Sequence, residues 1–337
     1  MITASPGARI TPPVAPDWRQ LWRDAVTDGH ELLGLLGLGH LSDRLPAEDA
    51  GFALRAPRGF VARMRPGDER DPLLLQVLPQ LAELDEVPGF VADAVGDMAA
   101  REAQGVLHKY EGRALLIASG SCAINCRYCF RRHFPYGEEM AAAGQWRQAL
   151  DHVGQDKSIN ELILSGGDPL ALATSKLEEL SRGLADLPHI TRLRIHTRLP
   201  VVLPERIDAA FVDWLRSLTL QKVVVLHANH ANEFDDTVDA ACARLRDAGA
   251  TLLNQSVLLR GINDSANALT ALSERMFAAG VLPYYLHQLD RVQGAAHFEV
   301  ADAEAISLVE QMRSRLPGYL VPKLVREVGG DPSKRPL

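Results

Sequence analysis

Six short apolar runs, each of strand length, follow one another between residues 114 and 290, and a stretch of helical length separates each from the next. The runs are ALLIAS from Ala114, ELILSGG from Glu161, RLRIHT from Arg192, KVVVLHAN from Lys222, LLNQSVLL from Leu252 and LPYYLHQLD from Leu282. The spacing predicts helices near 141–153, 174–187, 205–217, 232–248 and 265–280, with a last near 301–315. Trp146, Ala149, Leu150 and Val153 would line one face of the first. A strand that returns through a helix lies parallel to its predecessor, so the pattern predicts an α/β fold with right-handed crossovers. Six units fall short of the eight of a closed barrel. An open, partial barrel and a doubly wound sheet both fit.

In either arrangement the C-terminal ends of the strands share one edge, where enzymes of both kinds build their sites. Every run here ends in a polar or glycine-rich cluster: a cysteine loop, SGGDP, HTRLP, HANHANE, LLRGIND and HQLD. All six are expected to face one cavity.

The residues before about 105 read as short helical patterns broken by Pro and Gly, and DPLLLQVLPQL from Asp71 is one such piece. Asp17 is placed to cap a helix whose apolar face is Trp18, Leu21, Trp22 and Ala25. The Pro-rich first sixteen residues read as frayed. The expected organisation is a helical N-terminal region over 1–105, a barrel over 106–317 and a C-terminal segment over 318–337. The net charge of −7 argues against a nucleic-acid partner. No apolar run approaches the roughly 20 residues that cross a bilayer. The opening residues lack the layout of a signal peptide. A cytoplasmic location follows, and in that reducing compartment clustered cysteines mean metal or catalysis.

Three of the four cysteines fall in SCAINCRYCFRRHFPY, which begins at Ser121, at spacing C-x3-C-x2-C. Three thiolates are one short of a closed zinc site. On a [4Fe–4S] cluster they would leave one iron open to a non-protein ligand. Taken alone, these residues also suit a zinc-binding structural protein, or a non-catalytic iron–sulfur protein that binds a partner or transfers electrons. Cys242 shares a helical face with Val238, Ala241 and Leu245 and is expected in the core.

The cysteine spacing, Tyr128 just before the last cysteine, and SGGDP after the second strand resemble the radical S-adenosylmethionine superfamily. That resemblance implies a partial (β/α)6 barrel. Cys122, Cys126 and Cys129 would hold a [4Fe–4S] cluster. Ser165, Gly166, Gly167 and Asp168 would lie at the methionine moiety of S-adenosylmethionine, and Tyr128 near the adenine. CRYCFRRHF, TRLPVVLPERI, HANHANE, LLNQSVLLRGIND, YYLHQLD and GAAHF narrow the resemblance to the lysine 2,3-aminomutase family, from about Gly105 to the C-terminus. HKYEGRALL, FRRHFPY, VQGAAHF and the ending GYLVPKLVREVGGDPSKRPL are similar to one branch, which makes (R)-β-lysine for modifying elongation factor P.

The resemblance to that family implies an isomerase, an L-lysine 2,3-aminomutase that uses pyridoxal 5′-phosphate beside S-adenosylmethionine. It also implies an external electron donor of flavodoxin or ferredoxin type and a downstream ligase; self-association is left open. Lys334 would carry the pyridoxal phosphate, with Lys323 as the fallback. Asp-Pro-Ser stands before Lys334 where the longer relatives have an uninterrupted glycine run. Arg113 would bind the phosphate, and Lys109, Gln255 and His227 are further cofactor candidates. Arg131 would pair the substrate carboxylate, with Arg132 able to share that task. Asp290 and Glu327 would hold the distal ammonium, with Asp331 as an alternative to Glu327. An aminomutase for glutamate or arginine is the competing enzyme reading. An acid at 290 suits a cationic side chain and repels an anionic one.

Overall fold

A computed structural model of the chain describes residues 17–46, 51–144 and 146–337, and the Pro-rich opening lies outside these. Among the described residues ten strands form one sheet in sequential order. They are β1 (Arg101–Ala103), β2 (Val106–Tyr110), β3 (Arg113–Ser119), β4 (Glu161–Gly166), β5 (Arg192–Thr197), β6 (Gln221–Leu226), β7 (Ala250–Val257), β8 (Leu282–His287), β9 (Lys323–Arg326) and β10 (Arg335–Pro336). Strands β3 to β9 run parallel. β1 and β2 extend one edge antiparallel, and β10 extends the other.

All six predicted runs are strands, and four further strands join them. β1, β2, β9 and β10 carry five residues or fewer and are mostly half-buried or exposed, so they lack the apolar alternation that marked the others. β9 adds a seventh parallel strand. It brings the C-terminal segment onto the sheet, so Lys334 lies between two paired strands and not in a solvated tail.

The helices are α1 (Trp18–Arg23), α2 (Gly29–Leu35), α3 (Arg58–Val61), α4 (Arg147–Gln155), α5 (Thr174–Leu184), α6 (Leu199–Val202), α7 (Ala209–Ser217), α8 (Asp236–Asp247), α9 (Ala266–Ala278) and α10 (Asp302–Arg313). Asp17 accepts from the Arg19 amide and caps α1, as expected. Asp208, Asp235 and Ser265 cap α7, α8 and α9 in the same way. Val238, Ala241, Cys242 and Leu245 are the buried face of α8, so Cys242 is a core thiol.

Two expectations need correction. DPLLLQVLPQL is a series of turns, not a helix. The Asp71 carboxylate bonds the Leu73 and Leu74 amides at 2.8 and 3.0 Å, which fixes a turn there, and Pro79 has no amide to continue a helix. Leu73, Leu74 and Val77 are still buried, while Gln76 turns into a polar network. Trp146 does not lie on the helical face assigned to it. It precedes α4 with φ +64°, held by complete burial and by its indole N–H, which donates to Lys176 O at 3.0 Å.

The N-terminal segments share one continuous apolar core with the strands and helices of the sheet, from Trp18 and Leu33 through Leu116 and Leu164 to Leu245. A buried ion cluster also joins them. Glu83 accepts from Arg127 Nη2 at 2.5 Å and from Arg132 Nη2 at 2.9 Å, with all three side chains out of solvent. Glu83→Gln would leave two guanidinium groups buried without their counter-charge. It should cost roughly 3–5 kcal/mol of unfolding free energy, read from the shift in a chemical denaturation midpoint.

Candidate active site

Alternation along the strands sends one set of side chains into the packed helices and the other into a cavity of about 800 Å³. On β5, Leu193 and Ile195 are buried in the core while Arg194 and His196 line the cavity. On β7 the cavity receives Gln255 and Val257, and on β8 Tyr285 and His287. The cavity is not confined to the C-terminal edge of the strands. It runs from the cysteine loop there down to Arg113 and Glu161, which pair with each other at the opposite ends of β3 and β4.

Cys122, Cys126 and Cys129 line the upper end. The SGGD turn after β4 lies directly against their loop: the Gly167 amide donates to Ser119 O at 2.7 Å and the Asp168 amide to Ser121 O at 2.8 Å. A β-carbon on Gly166 would come within 2.6 Å of Ser119 O, and one on Gly167 within 2.7 Å of Ser121 O. Gly166 also adopts φ +119°. The two glycines are therefore required by the approach of two backbones.

Asp168 lines the cavity beside the cysteines and is itself held by protein donors. Its oxygens accept from Thr197 Oγ1 and from the Leu170, Arg198 and Leu199 amides, at 2.7 to 3.1 Å. The carboxylate ties the ends of β4 and β5 together. Burial nonetheless pushes its pKa up to about 6 against those hydrogen bonds.

Arg198 lies in HTRLP, where only its place at a strand end marks it. Its Nη1 lies 2.6 Å from both Cys126 Sγ and Tyr128 Oη. Its Nη2 donates to Gln76 and to Glu233 at 2.7 and 2.9 Å. Asn229 completes this network by donating to Tyr128 Oη at 2.6 Å. HANHANE thus supplies a structural anchor, Glu233, and two cavity residues: Asn229, which is also part of this network, and His227, whose Nε2 pairs with Gln255 Nε2 at 3.0 Å.

At the lower end Lys334 contacts Glu327 Oε2 and lies 6.0 Å from the Tyr285 ring centre. Lys109 Nζ reaches Glu327 Oε1 at 3.3 Å and Asp97 Oδ1 at 2.6 Å. Asp97 in turn accepts from Arg131 Nε at 2.6 Å, and Arg131 Nη1 donates to Ser165 Oγ at 3.0 Å. The result is an alternating chain of charge from Lys334 to the SGGD turn. Asp97 lies in VGDM, which has no periodicity or motif to mark it, and it was not anticipated.

Asp290 lines the same space, and no side-chain donor reaches its carboxylate among the described residues. Burial first, and then the Glu327 charge, push its pKa up to about 7. Glu327 goes the other way. Burial opposes its charge, but Lys334 and Lys109 outweigh burial and hold it at about 2. Two alternatives from the sequence fall outside the site. Arg132 is held by Glu83 and by the carbonyls of Arg127 and Gly294, away from the cavity. Asp331 is absent from the lining and pairs with Arg335 at 2.9 Å.

Residues 116–271 match the model of the radical SAM superfamily. Over 330 residues the chain is 50% identical to the L-lysine 2,3-aminomutase of Escherichia coli K12, covering 97% of this chain and 96% of that one. The chain belongs to the lysine 2,3-aminomutase family. It is 44% identical to the Haemophilus influenzae L-lysine 2,3-aminomutase, over 94% of each chain. To the Clostridium subterminale L-lysine 2,3-aminomutase it is 32% identical, over 95% of this chain and 77% of that one.

A lysine 2,3-aminomutase of the radical SAM type works with a [4Fe–4S] cluster, S-adenosylmethionine and pyridoxal phosphate, and the donors in this cavity fit all three. Burial and then the neighbouring Cys126 push the Cys129 thiol up to about 11. Burial pushes the Cys122 thiol up as well, and thiols whose ionisation is this unfavourable await a positive partner such as iron. Among the described residues no three His, Cys, Asp or Glu side chains close on a single metal ion. A cubane instead gives each thiolate its own iron. For pyridoxal phosphate the cavity offers the amine of Lys334 and the Arg113 guanidinium, which stacks 4.5 Å from the Tyr110 ring centre. His196 and His287 each present a buried Nε2 with no hydrogen-bond partner among the described residues. Burial holds the His287 imidazolium down to about 3, so that nitrogen is neutral and available. Among the described residues no helix is long and apolar enough to cross a membrane.

Proposed function

We propose that the chain is an L-lysine 2,3-aminomutase that moves the amino group of L-lysine from C2 to C3. The product is (R)-β-lysine, which a ligase attaches to elongation factor P. Electrons come from a flavodoxin or ferredoxin type of donor. The observation that carries this reading is one cavity that holds three thiols, the amine of Lys334 and, between them in charge, an uncompensated carboxylate at Asp290.

When bound, the cluster with S-adenosylmethionine supplies a carbon-centred radical, and pyridoxal phosphate supplies a conjugated ring able to spread an unpaired electron. The protein's tasks are positioning and exclusion. Arg131 is gripped at Nε and Nη1 by Asp97 and Ser165, which leaves Nη2 for the substrate carboxylate. Arg113 meets the cofactor phosphate. Asp290 receives the distal ammonium, because a buried carboxylate with no protein cation is stabilised by a ligand that brings one.

This last assignment has a sign that can be measured. Only the ionised form of Asp290 attracts an ammonium, and that form gains population as pH rises through about 7. The KM for lysine should therefore fall by roughly tenfold between pH 6 and pH 8. Asp290→Asn should raise KM and flatten the dependence. The reading itself is tested with anaerobically reconstituted protein offered lysine, glutamate and arginine in turn, with β-amino acid measured by chromatography. Turnover of glutamate in preference to lysine would overturn it.

A further inference from the structure

Five carboxylates line the cavity: Asp97, Glu161, Asp168, Glu327 and Asp290. The first three are committed. Asp97 bridges Lys109 and Arg131, Glu161 accepts from Arg194 Nε at 2.8 Å, and Asp168 binds the backbone of two strand ends. Two acids remain for the ammonium groups that come and go during a catalytic cycle. These are also the two acids that the family resemblance assigns together to the substrate's distal ammonium.

The structure treats them differently. Glu327 already carries Lys334 on one oxygen and Lys109 on the other, while among the described residues Asp290 carries no cation. We propose that Glu327 is the receptor for the Lys334 ammonium, both before the cofactor is loaded and whenever substrate displaces Lys334 from it, so that Asp290 alone receives the distal ammonium. The inference rests on the lysine aminomutase reading and changes the role of one residue within it.

Charge accounting supports the division. On entry, the α-ammonium of the substrate sheds one proton and its nitrogen forms a bond to the cofactor carbon. The bond from that carbon to Lys334 Nζ breaks. The two protons left on the incoming nitrogen end on Lys334, and the proton shed on entry makes it an ammonium. The cavity then contains two ammonium groups, one on Lys334 and one at the far end of the substrate. If both acids turned to the substrate, Lys334 would be left among Lys109 and the neutral rings of His227 and His287, a buried charge without a partner. With Glu327 on Lys334 and Asp290 on the substrate, each cation has one anion.

The test uses two ligands that differ only at the distal end: L-lysine and L-norleucine, which lacks the distal nitrogen. Each is titrated into pyridoxal-phosphate-loaded holoprotein without S-adenosylmethionine or reductant, and the change in cofactor absorbance gives a dissociation constant. The lysine-to-norleucine ratio isolates the distal contact, and a cycle with each variant assigns it. In Asp290→Asn the preference for lysine should collapse by about tenfold or more, with norleucine little changed. In Glu327→Gln both ligands should weaken together, because the lost interaction is with displaced Lys334, and the ratio should stay within about threefold of wild type. Glu327→Asp, which keeps the charge, should weaken both less and also preserve the ratio.

If Glu327→Gln collapses the ratio as Asp290→Asn does, Glu327 is a substrate acid and the proposal is wrong. If it leaves both affinities at the wild-type value, Lys334 does not depend on it and the proposal is equally wrong. A wild-type holoprotein that fails to prefer lysine over norleucine defeats the lysine aminomutase reading itself, before any variant is compared.

Discussion

Cys126→Ala protein should purify colourless under anaerobic conditions, release no 5′-deoxyadenosine with dithionite and S-adenosylmethionine, and lose turnover by at least about 10³-fold. Removing one of three thiolates leaves a cubane with two open irons, and the two remaining cysteines are too few to hold it. The effect should be local. The loop is fixed by other contacts: the Asn125 amide donates to Arg55 O at 3.0 Å, the Arg127 amide to Gln76 O at 2.9 Å, and the Arg127 side chain to Glu83. Circular dichroism and the denaturation midpoint should therefore stay near wild type while iron content falls. A brown Cys126→Ala protein that still cleaves S-adenosylmethionine would remove Cys126 from the ligand set.

Lys334→Ala should separate the two ends of the cavity. The cysteine loop is untouched, so iron content and the reductive cleavage of S-adenosylmethionine should persist. The visible absorbance of bound pyridoxal phosphate should disappear, and aminomutase turnover should fall by at least about 10³-fold. Stability should change little, because Lys109 remains 3.3 Å from Glu327 and the carboxylate keeps a cation. Added primary amines are expected to restore part of the turnover, since they replace the missing nitrogen but not its tether. Undiminished turnover in this variant would transfer the role to Lys323, which also borders the cavity.

The parallel core of this fold was legible because its signal is periodic. Burial on one side and a cavity on the other leave their imprint on β5 as Leu193 and Ile195 against Arg194 and His196. The short edge strands carried no such imprint. β9 was hidden in a four-residue run, and only its pairing with β8 and β10 makes it a strand. Motifs located Cys122, Cys126, Cys129, Gly166 and Gly167, because each spacing answers to a backbone or donor-set requirement. Partnership was less visible. Nothing in VGDM announces that Asp97 joins Lys109 to Arg131, and nothing in SGGDP distinguishes an acid that faces a ligand from one that ties two strand ends. Arg131 and Arg132 are adjacent and chemically identical, yet one faces the cavity and the other a buried glutamate. That choice is made by Glu83, about fifty residues away, and it becomes visible only once the chain is folded.

The placement of Lys334 between β9 and β10 has a bearing on biosynthesis. The cysteine loop leaves the ribosome about two hundred residues earlier, which at ordinary translation speed is roughly 10–40 s. With the roles proposed above for the cysteines and Lys334, the iron site is complete in sequence while the seat of the vitamin has yet to be made. Cofactor insertion acquires a built-in calendar: metal maturation can start on a nascent chain, whereas pyridoxal capture must wait for the final strands to dock.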